Sequence, residues 1–176
     1  MDPVIVETTI ARPREEVFEY LADIANHAEF TDHFMVDWHL TSEETYGQGA
    51  GARFKISAPL NRFPWGDATL VELERPRRIV EVGRSGKFNR IRRLGVYELD
   101  RAAGGSTRVR FTLETEPKLL SDRIIETLGG ARPRMKRHLN RAMRRLRSIL
   151  EEDYDRGTRP TIAGGARKPA TGGPYR

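Results

Sequence analysis

Residues 107–116 place an apolar side chain at every second position, with Val109, Phe111 and Leu113 on one side and Arg108, Arg110, Thr112 and Glu114 on the other. A strand of this kind has one face that must be covered and one that stays wet, so the chain has to supply a cover. The segment Pro133 to Tyr154 supplies it. There Met135, Leu139, Ala142, Leu146, Ile149 and Leu150 recur at helical spacing, over about 20 residues or roughly 30 Å. Arg134, Lys136, Arg137, Arg141, Arg144, Arg145 and Arg147 crowd its other faces. A one-faced antiparallel sheet and a long one-faced helix can satisfy each other, which points to an α+β domain with the helix laid on the sheet.

The rest of the chain reads consistently with that pairing. Val4, Val6, Thr8 and Ile10 alternate with Ile5, Glu7 and Thr9, a first strand. Pro13, followed by Glu15 and Glu16, opens a short helix carrying Val17, Phe18, Leu21 and Ala22, and Asp23 opens a second that runs to about Phe30. Phe34, Val36, Trp38 and Leu40 then alternate with Met35, Asp37, His39 and Thr41, and Gly47, Gly49 and Gly51 turn the chain into a strand with Ala52, Phe54 and Ile56 on one side. Strands near 66–75 and 78–85 join at Arg75-Pro76-Arg77, and a hairpin over about 90–101 and 107–116 turns at Gly104-Gly105-Ser106. Ser121 can cap a short helix over 122–128, stopped by Gly129-Gly130.

Composition narrows the function classes. With 176 residues the chain is long enough for one domain with its own core. It has no cysteine, which excludes disulfides, thiolate metal sites and a cysteine nucleophile. No apolar run approaches the ~20 residues of a membrane span, and the opening MDPVIVETTI has neither the basic flank nor the cleavage site of a signal peptide. A cytoplasmic location is expected. The net charge is +6, but Arg156, Arg159, Arg167, Lys168 and Arg176 sit in a tail free of Asp and Glu, so the rest of the chain is nearly neutral. That tail, rich in Gly, Pro and Thr, buries too little apolar surface to order itself. The expected division is therefore a folded domain over 1–155 and a disordered basic tail over 156–176.

Four stretches carry a family resemblance: IARPREEVFEYLAD from Ile10, GQGAGARFKI from Gly47, ERPRRIVEV from Glu74 and YELDRAAGGSTRVRFTLE from Tyr97. Together with the order of elements they resemble the START-like (SRPBCC) superfamily, in its polyketide cyclase/dehydrase-like branch, over roughly residues 3–154. The resemblance implies a helix-grip fold. In it a curved antiparallel sheet of about seven strands wraps the long C-terminal helix, two short helices follow the first strand, and a cavity lies between sheet and helix. Two departures stand out: Phe30 takes the place where the family often has a tryptophan, and Gly129-Gly130 and Pro133 interrupt a final helix that is usually continuous.

The alternation assigns the walls of such a cavity. Phe34, Val36, Trp38, Phe54, Ile56, Val71, Tyr97, Val109, Phe111 and Leu113 come from the sheet, and Met135 and Leu139 from the helix. Asp67 and Arg93 are ionisable residues in apolar register; facing inward they would pair, and with Tyr97 they are the candidates for acid/base or orienting chemistry. His27, His33 and His39 match no metal-ligand spacing and read as surface histidines. Gly47, Gly49 and Gly51 lead into strands rather than a helix, which is the wrong context for a dinucleotide loop. No metal and no cofactor is expected.

The leading expectation is binding of a hydrophobic or amphipathic small molecule, lipid or polyketide-like, by a carrier, sequestering protein or sensor. A cyclase, aromatase or dehydratase on a polyketide-like substrate is the second reading. Attachment of nucleic acid or another anionic surface to the basic tail is the third. None of these specifies an oligomeric state.

Overall fold

The structure, a computed structural model, describes residues 2–57, 62–117 and 130–161 and the backbone of 166–167. Strand β1 (Val4–Ile10) leads into helix α1 (Arg14–Leu21), a 3-10 turn (Ile24–Asn26) and helix α2 (His27–Thr31). Six strands follow: β2 (Met35–Leu40), β3 (Gly51–Ile56), β4 (Trp65–Glu74), β5 (Arg78–Ser85), β6 (Ile91–Arg101) and β7 (Thr107–Pro117). Helix α3 spans Ala131–Glu152, and a short pair, β8 (Arg159–Pro160) and β9 (Ala166–Arg167), comes last.

Strands β1 to β7 form one antiparallel sheet in the order β1-β7-β6-β5-β4-β3-β2. This is the expected α+β helix-grip arrangement: α3 packs chiefly on β1 and α2, and the sheet curves around it. Local chemistry explains the entry to α1. Pro13 occupies its N-cap and Glu15 and Glu16 its first turn, where acids meet the positive end of the helix dipole. Asp23 caps the following turn through an Oδ1 that accepts the Ala25 N–H at 3.1 Å.

Helix α3 buries Leu139, Ala142, Met143, Leu146 and Ile149, with Met135 and Leu150 partly buried beside them. It begins two residues before Pro133, because a proline in the first turn withholds an N–H that has no intrahelical acceptor anyway. The proposed helix over 122–128 lies outside the described residues. Among the described residues no helix is long and apolar enough to cross a membrane.

Residues just past 155, the boundary expected from the sequence, make specific contacts with the domain. Arg156 Nη1 bonds Glu29 Oε2 at 2.6 Å, the Gly157 N–H donates to the Glu29 carbonyl at 2.9 Å, and Arg159 reaches Asn26 and Asp23. Arg145, buried on α3, pairs with both Asp32 and Asp155. Residues 156–161 thus form a strap across the outer side of α2. Nothing in their apolar content announces it; the strap is held by charge pairs whose partners lie more than a hundred residues away.

His33 adds a pH-dependent element. Its Nε2 donates to the His138 carbonyl at 3.2 Å while Nδ1 is buried with no partner among the described residues. Burial depresses its pKa to about 4, against the raising effect of that bond, and Arg141 and Arg145 add to the depression. The unfolded chain therefore takes up a proton near pH 6.5 that the folded chain resists until about pH 4. Stability present above pH 6.5 should be lost as pH falls through that window. His138, also depressed by burial, acts in the same direction. Urea midpoints measured from pH 7 to pH 4 should fall more steeply for the native protein than for His33→Gln; parallel curves would refute the assignment.

Candidate functional site

Between α2, α3 and the concave face of the sheet lies a cavity of about 30 Å³. Its walls are aromatic and sulfur-rich on one side: Trp38, Phe54, Tyr97, Phe111, Met35 and Met143. His27, Glu81 and Arg93 make the other side polar. The rings are mutually packed, with Tyr97 and Phe111 centroids 4.3 Å apart and Trp38 and Phe54 4.6 Å apart. Trp38 Nε1 is satisfied by the Met35 carbonyl at 2.9 Å, which leaves the indole's apolar surface toward the cavity.

The polar side is built on a checkerboard. In the β5–β6 ladder Glu81 lies opposite Gly95, and Gly83 opposite Arg93. Each charged side chain on the inner face therefore confronts a glycine. A Cβ at Gly95 would stand 2.5 Å from the Glu81 carboxyl and Cγ, so the missing side chain is the space the carboxyl occupies. Gly83 meets the β4 backbone, and a Cβ there would overlap the carbonyl oxygen of Asp67. The two small residues leave room for two long polar side chains on the inner face.

His27 faces Glu81. Its Nε2 donates to the Leu21 carbonyl at 2.8 Å, because a carbonyl can only accept, and Nδ1 then points at Glu81 Oε2 at 3.6 Å. That approach is attractive only with a proton on the ring nitrogen or on the carboxyl. Arg93 lies over the Phe54 ring with Cζ 5.4 Å from its centroid. Burial lowers the Arg93 pKa, opposed by the charges of Glu81 and Asp67 and by Tyr97. Burial raises the Tyr97 phenol well above 10, and Glu81 pushes it the same way while Arg93 opposes. The phenol is a neutral donor at any ordinary pH.

Of the wall residues expected from the alternation, Trp38, Phe54, Tyr97, Phe111 and Leu139 line this cavity. Phe34, Val109 and Leu113 are buried in the surrounding core, with Ile56 and Met135 packed against it. Val36 and Val71 belong elsewhere. Asp37 takes a φ of 52° and the β2–β3 register slips between Val36 and His39, so Met35 and Trp38 face inward and Val36 faces solvent. Val71 sits in a second irregularity, between Leu70 and Glu72, outside the core cluster.

Arg93 and Tyr97 do point inward, but Asp67 does not pair with Arg93. Gly66, Ala68 and Leu70 hold the inner positions of β4, while Asp67 is half-exposed and accepts the Arg84 N–H at 2.7 Å. Glycine and alanine fill inner positions here because the Phe54 ring lies directly over Gly66; small residues carry no apolar signal that alternation can register. Glu81 is the acid actually placed near Arg93. His27 is likewise buried rather than superficial. The signal for this site is available in Glu81-Val82-Gly83 and Arg93-Leu94-Gly95, two charge-x-glycine runs on strands that pair. No cluster of candidate metal ligands occurs among the described residues.

A curved antiparallel sheet closed around a long helix, with a lined space between them, defines the START-like helix-grip class. Within it the chain belongs to the family described as polyketide cyclase/dehydrase and lipid transport, whose profile matches residues 2–151. Solved structures agree on the fold. A Thermus thermophilus protein, TTHA0849, is similar with a TM-score of 0.61 at 17% identity, covering 84% of this chain and 96% of its own. The protein jhp0584 of Helicobacter pylori gives a TM-score of 0.64 at 13% identity, covering 85% and 88%. Truncated norcoclaurine synthase of Thalictrum flavum gives 0.63 at 11% identity, covering 86% and 94%. At such identities the likeness concerns architecture alone. No curated protein matches the chain in sequence.

Proposed function

We propose that this protein binds a hydrophobic or amphipathic small molecule in the space between sheet and helix, as a carrier, sequestering protein or sensor. The observation that carries this reading is the unfilled space itself, ringed by Trp38, Phe54, Tyr97 and Phe111. The resting volume of about 30 Å³ accommodates one or two waters, whereas drug-sized guests need ~300 Å³ or more. Binding therefore enlarges the space. Met35, Leu139 and Met143 flank it, and unbranched methionine side chains change rotamer at low cost.

A reading as cyclase, aromatase or dehydratase loses Asp67 and would have to draw its acid/base group from the facing pair His27 and Glu81. The tail reading is weakened by Arg156 and Arg159, whose charges are already engaged by Glu29, Asp153 and Asp23.

A thermal-shift panel of fatty acids, sterols and two-ring arenes tests the leading reading. A ligand at about a hundred times its Kd stabilises by ~2.7 kcal/mol, which for a chain of this size raises the melting point by roughly 5–10 °C. No shift across the panel would refute it.

A further inference from the structure

Arg93 is a buried cation with acids nearby but no ion pair among the described residues. Its side chain is more than nine-tenths buried, and Nη1 has no hydrogen-bond partner among the described residues. No carboxylate among those residues lies within ion-pairing distance of it. The two nearest acids are otherwise engaged, Glu81 with His27 and Asp67 with the Arg84 N–H. A guanidinium nitrogen buried without a hydrogen-bond partner is costly, and proteins retain such groups where something else completes them.

We propose that the guest is an apolar acid, an arene or alkyl carboxylate, whose anionic oxygens are received by Arg93 Nη1 while its body lies against Trp38, Phe54, Tyr97 and Phe111. This assignment rests on the proposed ligand binding and specifies the chemistry of the ligand's polar end. A carboxylate brings one negative charge and a planar pair of acceptors, matching one edge of a guanidinium. A phosphate would set a second negative charge against Glu81, on the neighbouring strand one register step away. A neutral ester or alcohol could accept the N–H bond but would bring no charge to the guanidinium. The Phe54 ring lies against the guanidinium, with Cζ 5.4 Å from its centroid, so the anchor is positioned before the guest arrives.

Isothermal titration of the full chain with 2-naphthoate and with methyl 2-naphthoate separates the possibilities. The carboxylate should bind at least tenfold more tightly than the ester. Arg93→Met should erase that preference, costing the carboxylate at least tenfold more affinity than it costs the ester. Should Arg93→Met fail to fold, Glu81→Gln carries the test: removing an acid from the cavity wall beside Arg93 should tighten naphthoate several-fold more than it tightens the ester. Equal affinities for acid and ester in the native protein overturn the assignment but leave ligand binding standing. So does a preference that survives Arg93→Met, or one that Glu81→Gln leaves unchanged. If neither compound binds, while the thermal-shift panel is also silent, the binding reading itself falls and takes this one with it.

Discussion

Replacing Arg156 by alanine is expected to remove about 3 kcal/mol from the unfolding free energy, although the residue lies outside the domain that the sequence delimits. The reason is Glu29. Its carboxylate is 2% exposed and is held by two groups, the Tyr20 hydroxyl at 2.7 Å and Arg156 Nη1 at 2.6 Å. Arg156 also lies over the Tyr20 ring, with Cζ 5.9 Å from its centroid. Without the guanidinium, a buried anion keeps a single neutral donor, and the penalty of uncompensated charge falls on the native state alone. Glu29→Gln should relieve that penalty, so the double variant Glu29→Gln/Arg156→Ala should be more stable than Arg156→Ala by itself. Urea unfolding of the three variants measures the cycle. A loss below about 1 kcal/mol for Arg156→Ala would mean that water replaces the arginine, and the strap would then be ornamental. The effect should extend to ligand binding, since α2 presents Glu29 to the strap and His27, Phe30 and Thr31 to the cavity.

Those two faces of α2 show which parts of this protein can be read from its residues. Alternation locates the β6–β7 hairpin to within a residue or two, because both strands run unbroken for eleven residues with one face buried along their middle stretch. The stripe on α3 is equally plain, and its missing member, Met143, follows from the same spacing. Where the backbone departs from a period of two, the pattern misassigns faces. Asp37 and Val71 each shift the register, and each carries a valine to the wrong side. Such bulges have no strong sequence mark, since neither site holds a glycine. The polar half of the cavity escapes single-strand alternation for another reason. Glu81 lies in a run of valines and looks like an outward residue of an edge, and its inward turn depends on Gly95 across the ladder. Pairing between strands decides that geometry, and pairing is not contained in either strand alone. Arg93 and Tyr97 are identifiable as inward residues because they share parity with Leu99 on a strand without irregularity.

The same ladder supports a second large effect. Gly83→Ala is expected to cost about 3 kcal/mol, the upper range for forcing extra volume into a packed interior. An added Cβ would overlap the Asp67 carbonyl and crowd the Ala68 Cα, both backbone atoms of the neighbouring strand, so no side-chain rotation relieves the clash. Relief requires β4 to move off β5, and the Arg84 N–H bond to Asp67 is strained with it. Gly95→Ala provides the internal comparison. The nearest atoms its Cβ would meet are the Glu81 Cγ, Oε1 and Cδ, which a change of side-chain rotamer can move, and the expected cost is about 1 kcal/mol. Both substitutions add one methyl group to the same face of the same pair of strands. They differ in whether the obstacle is a backbone or a flexible carboxylate arm. Urea unfolding should therefore rank Gly83→Ala well below Gly95→Ala, with equal costs contradicting the close approach of β4 to Gly83. Their effects on ligand preference should reverse that order. Gly95→Ala displaces Glu81 from its place beside Arg93 and alters the charge balance there, while Gly83→Ala acts through the spacing of β4 and β5.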